Sequence, residues 1–347
     1  MPKQGSLLAY TVSRLILALP TLLILLTVLF LVLRILPGDP VSALEAGRHR
    51  SIRDIAADKA RLGLDQPWWI QYPVYLGQVF SGNFGVSLGS LYLGQPVLGV
   101  IAQKLPATIE LAIGGMIVAT IMGVGTGVLG GANRDKLPDV IVRLYGGIIW
   151  VIPVFWLGLM LQLVFAVGLH WFPPNLRYAA DPVIYPPPTH ITGLYTLDSL
   201  LEGSLDKFAI SIDHLFLPSL TLGLVVSGFF TRTVRANLLR TINSDYVEAA
   251  RARGVPEPFI VLRYAFRNAL IPIVTILGLQ FAILFAGAVL TEKTFSWDGM
   301  GTLLLNSIDS RDYAMIQGTV VVYAFIIVII SVIIDVINGL IDPRVRY

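Results

Sequence analysis

Long apolar stretches alternate with polar segments along the whole chain. Six of them cover about residues 12–36, 106–132, 140–169, 214–233, 271–290 and 316–340. A helix needs about 20 mainly apolar residues to cross a bilayer, so each stretch is long enough to span one. The pattern therefore predicts an all-α polytopic membrane protein with about six transmembrane helices.

The first apolar stretch follows Lys3 and Arg14 and superficially resembles a secretion signal. Its apolar run, from Leu15 to Leu33, is longer than the roughly 7–15 residues of a cleaved signal, and no small-residue cleavage site follows it. We therefore expect an uncleaved first span.

The second stretch is rich in glycine, and Pro153 interrupts the third. Small residues let the backbones of neighbouring helices approach closely. We therefore predict that the second span lies inside a helix bundle. Its glycines are Gly114, Gly115, Gly123, Gly125, Gly127, Gly130 and Gly131.

The distribution of lysine and arginine over the connecting segments predicts the orientation. The segments 1–14, 133–143, 232–267 and 344–347 hold 14 basic residues in 65 positions. The segments 34–104, 171–213 and 292–313 hold 11 basic residues in 136 positions. Because basic residues concentrate on the cytoplasmic side, the first group and both termini are predicted to be cytoplasmic.

The first external segment, 37–105, is too long for an ordinary connection and is predicted to form a small subdomain. Pro37–Pro40 (PGDP) is predicted to end the first span, and Ser51–Leu64 is predicted to be helical. An aromatic run follows, formed by Trp68, Trp69, Tyr72 and Tyr75. It suits either an interfacial belt or the core of the subdomain, and we favour the core. The predicted divisions are 1–36, 37–105 and a core of 106–347.

Two further external segments complete this side. The segment 171–213 contains Pro173-Pro174 and the run Pro186–Pro188, so we expect it to be irregular and stiff. The segment 291–317 contains Asp298–Gly301 (DGMG), which is typical of a turn.

Composition agrees with a membrane protein and excludes several classes. Apolar residues make up 55% of the chain and charged residues 14%, with a mean hydropathy of +0.74. The net charge of +3 does not indicate nucleic-acid binding, because the basic residues are not gathered with aromatics on a soluble face. The absence of cysteine excludes disulfides and thiolate sites, and the four histidines have no metal-ligand spacing.

The chain lacks the motifs of phosphate-binding loops, zinc hydrolases and serine hydrolases. We therefore predict that it is not an enzyme.

Several charged residues lie near the ends of the predicted spans, and acidic residues inside a membrane are candidate functional sites. Glu110 and Asp335 lie close to span ends, so structural pairing or solvation is favoured over substrate contact. We expect membrane-interface roles for four arginines, namely Arg34, Arg143, Arg232 and Arg235.

The segment from Asp245 to Pro272 is too charged to lie in the hydrocarbon core. Asp245 is predicted to cap a short helix, Gly254 to end it in the left-handed conformation, and Pro256 to prevent its continuation. Small side chains and arginines suit docking on a soluble partner, although a helix lying on the membrane surface fits the same pattern.

Glu248-Ala249-Ala250-Arg251-Ala252-Arg253-Gly254 resembles the E-A-A-x-x-x-G signature of permease subunits of binding-protein-dependent ABC importers. That signature usually continues to a proline thirteen residues after the glycine, where this chain has Arg267. Its proline comes later, in Arg267–Pro272 (RNALIP). This departure resembles the dipeptide, oligopeptide and nickel branch of the family.

Other stretches resemble the same branch along nearly the whole chain. They are Ser13–Leu15, Pro37–Pro40, Leu62–Pro67, Gly82–Ser87, Ala107–Leu111, Gly287–Glu292, Phe295–Gly301, Arg311–Tyr313 and Asp342–Arg344. The PGDP element and the long first external segment resemble the B-type, the first of the two permease subunits.

The resemblance implies a type I ABC importer permease fold in a bacterial or archaeal cell membrane. Implied partners are a second homologous permease forming a heterodimer, two cytoplasmic ATPase subunits and an external solute-binding protein. The segment at about 245–256 would be the coupling helix on the ATPase, and no cofactor would bind this chain, since ATP and Mg²⁺ belong to the ATPase subunits. The residues implied in coupling are Tyr246, Glu248, Ala249, Ala250, Arg251, Arg253 and Gly254.

Peptides are the expected cargo. The same branch also serves nickel chelates, glutathione, haem and oligosaccharides. An ion-driven secondary transporter and a membrane scaffold are the alternatives from other classes. Secondary carriers usually show internal repeats and acids near the bilayer midplane, neither of which is evident here.

Overall fold

The computed structural model describes residues 7–35, 63, 65–179 and 181–341, and this part of the chain is predominantly helical. Its helices are α1 Leu7–Ile35, α2 Trp68–Phe80, α3 Val97–Ala132, α4 Leu137–Val151, α5 Val154–Leu161, α6 Tyr195–Leu201, α7 Leu205–Ile242, α8 Asp245–Ala252, α9 Arg267–Thr294, α10 Met300–Asp309 and α11 Tyr313–Ile341. Two π-helical runs continue this pattern: Gln162–Gly168 extends α5, and Ile260–Phe266 follows the turn Glu257–Phe259 and leads into α9.

Several of these helices are long and apolar enough to cross a membrane. Among the described residues they are Thr11–Leu33, Val97–Ala132, Leu205–Ile242 and Tyr313–Leu340, together with the bent pair Leu137–Val151 and Val154–Gly168. The remaining predicted span, 271–290, lies within the 28-residue helix α9. The all-α polytopic class is confirmed, whereas the number of spans and the side of the termini stay predictions.

Pro153 divides the third predicted span into two helices. α4 ends at Val151, and Ile152 is extended, with φ −66° and ψ 126°. The two helices meet at an angle of 104°. Proline lacks an N–H and disfavours the helical conformation in the residue before it, which accounts for the break.

Some helices extend beyond the apolar stretches that predicted them. α3 begins at Val97 rather than at 106, so Pro106 lies inside it, and α7 covers Leu205–Ile242 rather than 214–233. Ser204 is the N-cap of α7, and its side chain accepts a hydrogen bond from the Lys207 N–H. Apolar length indicates the part of a helix in lipid, whereas capping determines where the helix ends.

The described residues form two compact units. The first contains 7–14, 107–179, 181–297 and 330–341, and the second contains 15–35, 63, 65–106 and 298–329.

Close contact between α3 and α7 organises the first unit. A Cβ atom added at Gly123 would lie 2.4 Å from the Cβ of Phe230, and one added at Gly127 would lie 2.6 Å from the Cβ of Val234. Glycine is therefore required for this separation, as predicted from the sequence. Because both positions advance by four residues, the two helices run parallel and end at the same end of the unit.

The core of the second unit joins α1, α2 and α11. Its buried residues are Leu22, Leu26, Phe30, Tyr75, Val79, Val321 and Ala324. In the aromatic run of α2, the rings of Tyr72 and Tyr75 lie within 5.5 Å of the Phe30 ring of α1, whereas Trp68 and Trp69 are exposed. Neither the interfacial belt nor the subdomain core is tested by this packing. Pro37–Pro40 lies outside the described residues, as does nearly all of Ser51–Leu64, and the 37–105 subdomain stays a prediction.

Candidate functional site

The short helix predicted in the charged segment is present as α8. Ser244 precedes it with an extended backbone, and its carbonyl accepts hydrogen bonds from Val247 N–H (2.9 Å) and Glu248 N–H (3.2 Å). Ser244 therefore occupies the N-cap position, and the prediction that Asp245 caps the helix is wrong by one residue. Both residue types are favourable caps, so local preference does not choose between them. Asp245 and Glu248 lie in the first turn, where acids stabilise the helix dipole.

The other end of α8 is a Schellman motif. Gly254 has φ +76°, its N–H donates to the Arg251 carbonyl (2.9 Å), and the Val255 N–H donates to the Ala250 carbonyl (3.2 Å). This is the left-handed stop expected at Gly254. Val255 also packs beside the same apolar cluster as Ala250, which fixes the direction in which the chain leaves.

One face of α8 is buried against the rest of the first unit. Val247 and Ala250 are completely inaccessible and pack in a cluster with Leu238 of α7 and with Ile260. Ala250 was expected to belong to the docking surface, but it lies three residues after Val247 and shares its inward face. Its small side chain therefore serves to seat the helix on α7.

The opposite face is exposed and carries mixed charge. The exposed residues implied in coupling are Tyr246, Glu248, Ala249, Arg251, Arg253 and Gly254. Arg251 Nη2 donates to Glu257 Oε1 over 2.6 Å, and the guanidinium holds the pKa of the Glu257 carboxyl below its ordinary value. Arg253 Nε donates to the Ala249 carbonyl over 3.2 Å. These contacts hold both arginines along the helix and leave a shallow surface beside them.

A buried ion pair lies at the same end of the unit and was missed from the sequence. Asp139 is inaccessible; its Oδ1 accepts from Arg235 Nε and its Oδ2 accepts from Arg235 Nη2 over 2.8 Å. Arg235 was expected to lie at the membrane interface; its head group is held by this buried carboxylate, and the interface role stays a prediction. Arg143 and Arg232 are exposed, and the side chain of Arg34 lies outside the described residues, so the interface roles of these three arginines also stay predictions.

The two acids near span ends are both paired. Glu110 Oε2 accepts from Arg177 Nε (3.0 Å) and Nη2 (2.7 Å), and Oε1 accepts from Thr196 N–H (2.8 Å) and Oγ1 (2.7 Å). Asp335 lies 3.5 Å from Arg14 Nε. Structural pairing is thus confirmed for both acids.

Comparison with known proteins adds to this geometry. The family described as "Binding-protein-dependent transport system inner membrane component" matches residues 119–347, and a second family, described as the N-terminal part of a binding-protein-dependent transport system membrane component, matches residues 7–112. The dipeptide transport system permease protein DppB of Alkalihalophilus pseudofirmus is 36% identical over 98% of this chain and 100% of its own length.

Two other relatives differ in their named cargo. The probable D,D-dipeptide transport system permease protein DdpB of Escherichia coli is 39% identical over 91% of both chains. The glutathione transport system permease protein GsiC of Salmonella choleraesuis is 35% identical over 98% of this chain and 100% of its own length.

Proposed function

Because this chain belongs to the inner membrane component family of binding-protein-dependent transport systems, we propose that it is the permease subunit of an ATP-driven importer of di- and oligopeptides. The observation that carries the proposal is the match over 119–347, which includes α8 and its exposed face. Relatives named for dipeptide transport cover nearly the whole chain and support peptides as cargo.

In this proposal α8 is the coupling helix. Val247 and Ala250 seat it on α7, and Tyr246, Glu248, Ala249, Arg251 and Gly254 face outward to a groove on an ATPase subunit. Small residues permit close approach, and the charges select the partner and the register of docking. ATP and Mg²⁺ are used by the ATPase subunits, so hydrolysis is their reaction.

The translocation path forms when this chain pairs with a second, homologous permease, and a solute-binding protein delivers the cargo from outside. ATP-driven closure of the ATPase subunits displaces α8, and α7 follows because the two helices share an apolar cluster. The path then opens outward, as alternating access requires. Glutathione is the second candidate cargo, since one relative of comparable similarity is named for it.

Docking is tested by purifying the reconstituted complex through a tag on this chain. Glu248→Lys and Ala249→Trp place a reversed charge and a bulky ring on the exposed face, and we expect each to reduce the retained ATPase at least tenfold. The matched control is Lys136→Glu, which reverses the charge of an exposed residue in the turn 133–136, at the same end of the first unit as α8. If both α8 variants retain the ATPase and take up dipeptide at the normal rate, α8 is not the coupling helix.

Cargo is tested separately with the normal complex and its binding protein in proteoliposomes. Dipeptide uptake that unlabelled dipeptides suppress and glutathione does not is the expected result. The reverse order of competition would assign glutathione as cargo and leave the docking result unaffected.

A further inference from the structure

The ion pair between Asp139 and Arg235 is built to fix an orientation. Two nitrogens of one guanidinium meet two oxygens of one carboxylate, and Oδ2 also accepts from the Asp135 N–H over 3.0 Å. Asp139 is inaccessible to solvent, and Asp135 adopts a left-handed conformation, with φ +60°, to deliver its N–H. We call these three groups the Asp139 clasp. A bidentate pair of this kind, which we call a fork, fixes the relative direction of the two side chains as well as the distance between them.

The clasp holds the first turn of α4. α4 follows a short turn at 133–136 and ends at the Pro153 break, beyond which the chain turns by 104°. A second contact joins α4 to α7 through glycine, since a Cβ added at Gly146 would lie 3.4 Å from the Gly228 carbonyl. The second half of α4 is also held on α7, because Tyr145 Oη and Ser227 Oγ form a hydrogen bond of 2.6 Å and the Trp150 ring packs 5.8 Å from that of Phe229. The clasp joins the first turn of α4 to the same helix.

The partner helix of the clasp is the one that carries α8. Arg235 lies one turn before Leu238, and Leu238 packs in the cluster with Val247 and Ala250 of α8. α7 is also interlocked with α3 through Gly127 and Gly131. Any displacement of α8 therefore reaches α7 and α3 through apolar packing, and the clasp passes it to the first turn of α4, which lies at the same end of the unit.

We propose that Asp139 and Arg235 are positioning residues that make α3, α4 and α7 move with α8 as one body, so that ATP-driven displacement reaches both halves of the broken span. The proposal rests on the proposed function of α8 as the coupling helix. Without the clasp, the first turn of α4 is no longer held in one orientation on α7, and hydrolysis continues without the full opening of the path.

The test uses the intact importer in lipid nanodiscs and proteoliposomes. Asp139→Asn removes the charge, and Arg235→Lys keeps the charge but removes the fork, so the second variant serves if the first fails to fold. The matched control is Arg143→Gln, because Arg143 lies 3.8 Å from the same carboxylate but is half exposed. We expect both clasp variants to retain the ATPase subunits and to lower the cargo moved per ATP hydrolysed at least tenfold, with no change in the control.

A distance measurement separates positioning from simple support. The natural chain has no cysteine, so spin labels attach only at Ile141→Cys on α4 and Asn243→Cys at the end of α7, given cysteine-free partners. With the clasp intact, we expect one narrow distance distribution that is the same in the resting and vanadate-trapped states. In Asp139→Asn we expect the distribution to broaden or shift on trapping.

Three results would overturn the proposal: unchanged transport per ATP in both clasp variants, an equal loss in Arg143→Gln, or loss of the bound ATPase from the clasp variants. Failure of the coupling assignment is distinguishable, because Glu248→Lys would then retain the ATPase whatever the clasp variants do.

Discussion

Two arginine–glutamate pairs of similar geometry differ in burial and provide a quantitative test of the structure. Arg177 and Glu110 are 10% and 4% exposed, whereas Arg251 and Glu257 are 43% and 54% exposed. Breaking a buried pair leaves an uncompensated charge and costs about 3–5 kcal/mol. An exposed pair contributes about 0–1 kcal/mol because water solvates both groups. The same substitution, arginine to methionine, should therefore have very different effects at the two positions.

At the buried pair the expected cost is near the lower end of that range. Thr196 still donates two hydrogen bonds to Glu110 after Arg177→Met, so the carboxylate keeps part of its support. The guanidinium also lies 3.8 Å above the Tyr195 ring and donates to the Gly193 carbonyl, and both contacts are lost. We expect a free-energy cost of about 3 kcal/mol.

Hydrogen exchange followed by mass spectrometry measures this cost locally. A loss of about 3 kcal/mol accelerates exchange of the amides at 189–196 by about a hundredfold, since about 1.4 kcal/mol corresponds to a factor of ten. Arg251→Met should accelerate exchange at 254–259 by less than about fivefold.

The double variant Glu110→Gln/Arg177→Met is the control, because it removes the stranded charge. It should recover much of the lost protection. Equal acceleration of exchange in Arg177→Met and Arg251→Met, or less than fivefold acceleration in Arg177→Met, would refute the claim that burial makes the first pair more costly to break.

Three further predictions concern backbone, packing and pH. Gly254→Val should lower ATP-coupled uptake by roughly 5–30-fold, because a left-handed conformation costs an L-residue about 1–2 kcal/mol, whereas Gly254→Asn should remain close to normal in the same uptake assay. Gly127→Val should lower the yield of folded protein on size-exclusion chromatography, since its Cβ would lie 2.6 Å from that of Val234, while Gly125→Val, with nothing within 4 Å, should not; equal yields would contradict the packing. Burial raises the pKa of Asp198, but hydrogen bonds from the preceding loop outweigh it and the pKa is lowered, so the loop is stabilised above about pH 4 and loses that stabilisation as pH falls further. Amide hydrogen exchange in this loop, corrected for its intrinsic pH dependence, should be constant from pH 7 to 5. Faster exchange within that interval would contradict the stabilisation of the loop by the Asp198 carboxylate.

Local sequence signals predicted the backbone of this protein well. Gly254 as a helix stop, Pro153 as an interruption and six of the seven predicted glycines of α3 as close contacts are each decided by sterics within a few residues or along one helix face. The helical extension of α3 to Val97 was not predicted, because it lies outside the apolar stretch that served as the signal.

Pairing between distant residues was not predictable in the same way. Glu110 and Arg177 are 67 positions apart, and Asp139 and Arg235 are 96 positions apart. The sequence singled out Glu110 and Arg235 as charges near a membrane but gave no partner for either, since the partner depends on how the helices pack. Ala250 is a similar case within a single helix. It belongs to the E-A-A-x-x-x-G signature, but the signature does not indicate whether its side chain faces a partner or the core.

The direction of α3 relative to α7 and the distribution of basic residues place the same two segments together. Contacts that advance together, from Gly123–Phe230 to Gly127–Val234, make the helices parallel, so the turn at 133–136 and α8 lie at one end of the first unit. That result uses no assumption about charge. The count of basic residues independently groups the same two segments and assigns them to the cytoplasm. ATP is available on that predicted side, so packing and charge together are consistent with the proposal that α8 and the Asp139 clasp respond to an ATPase.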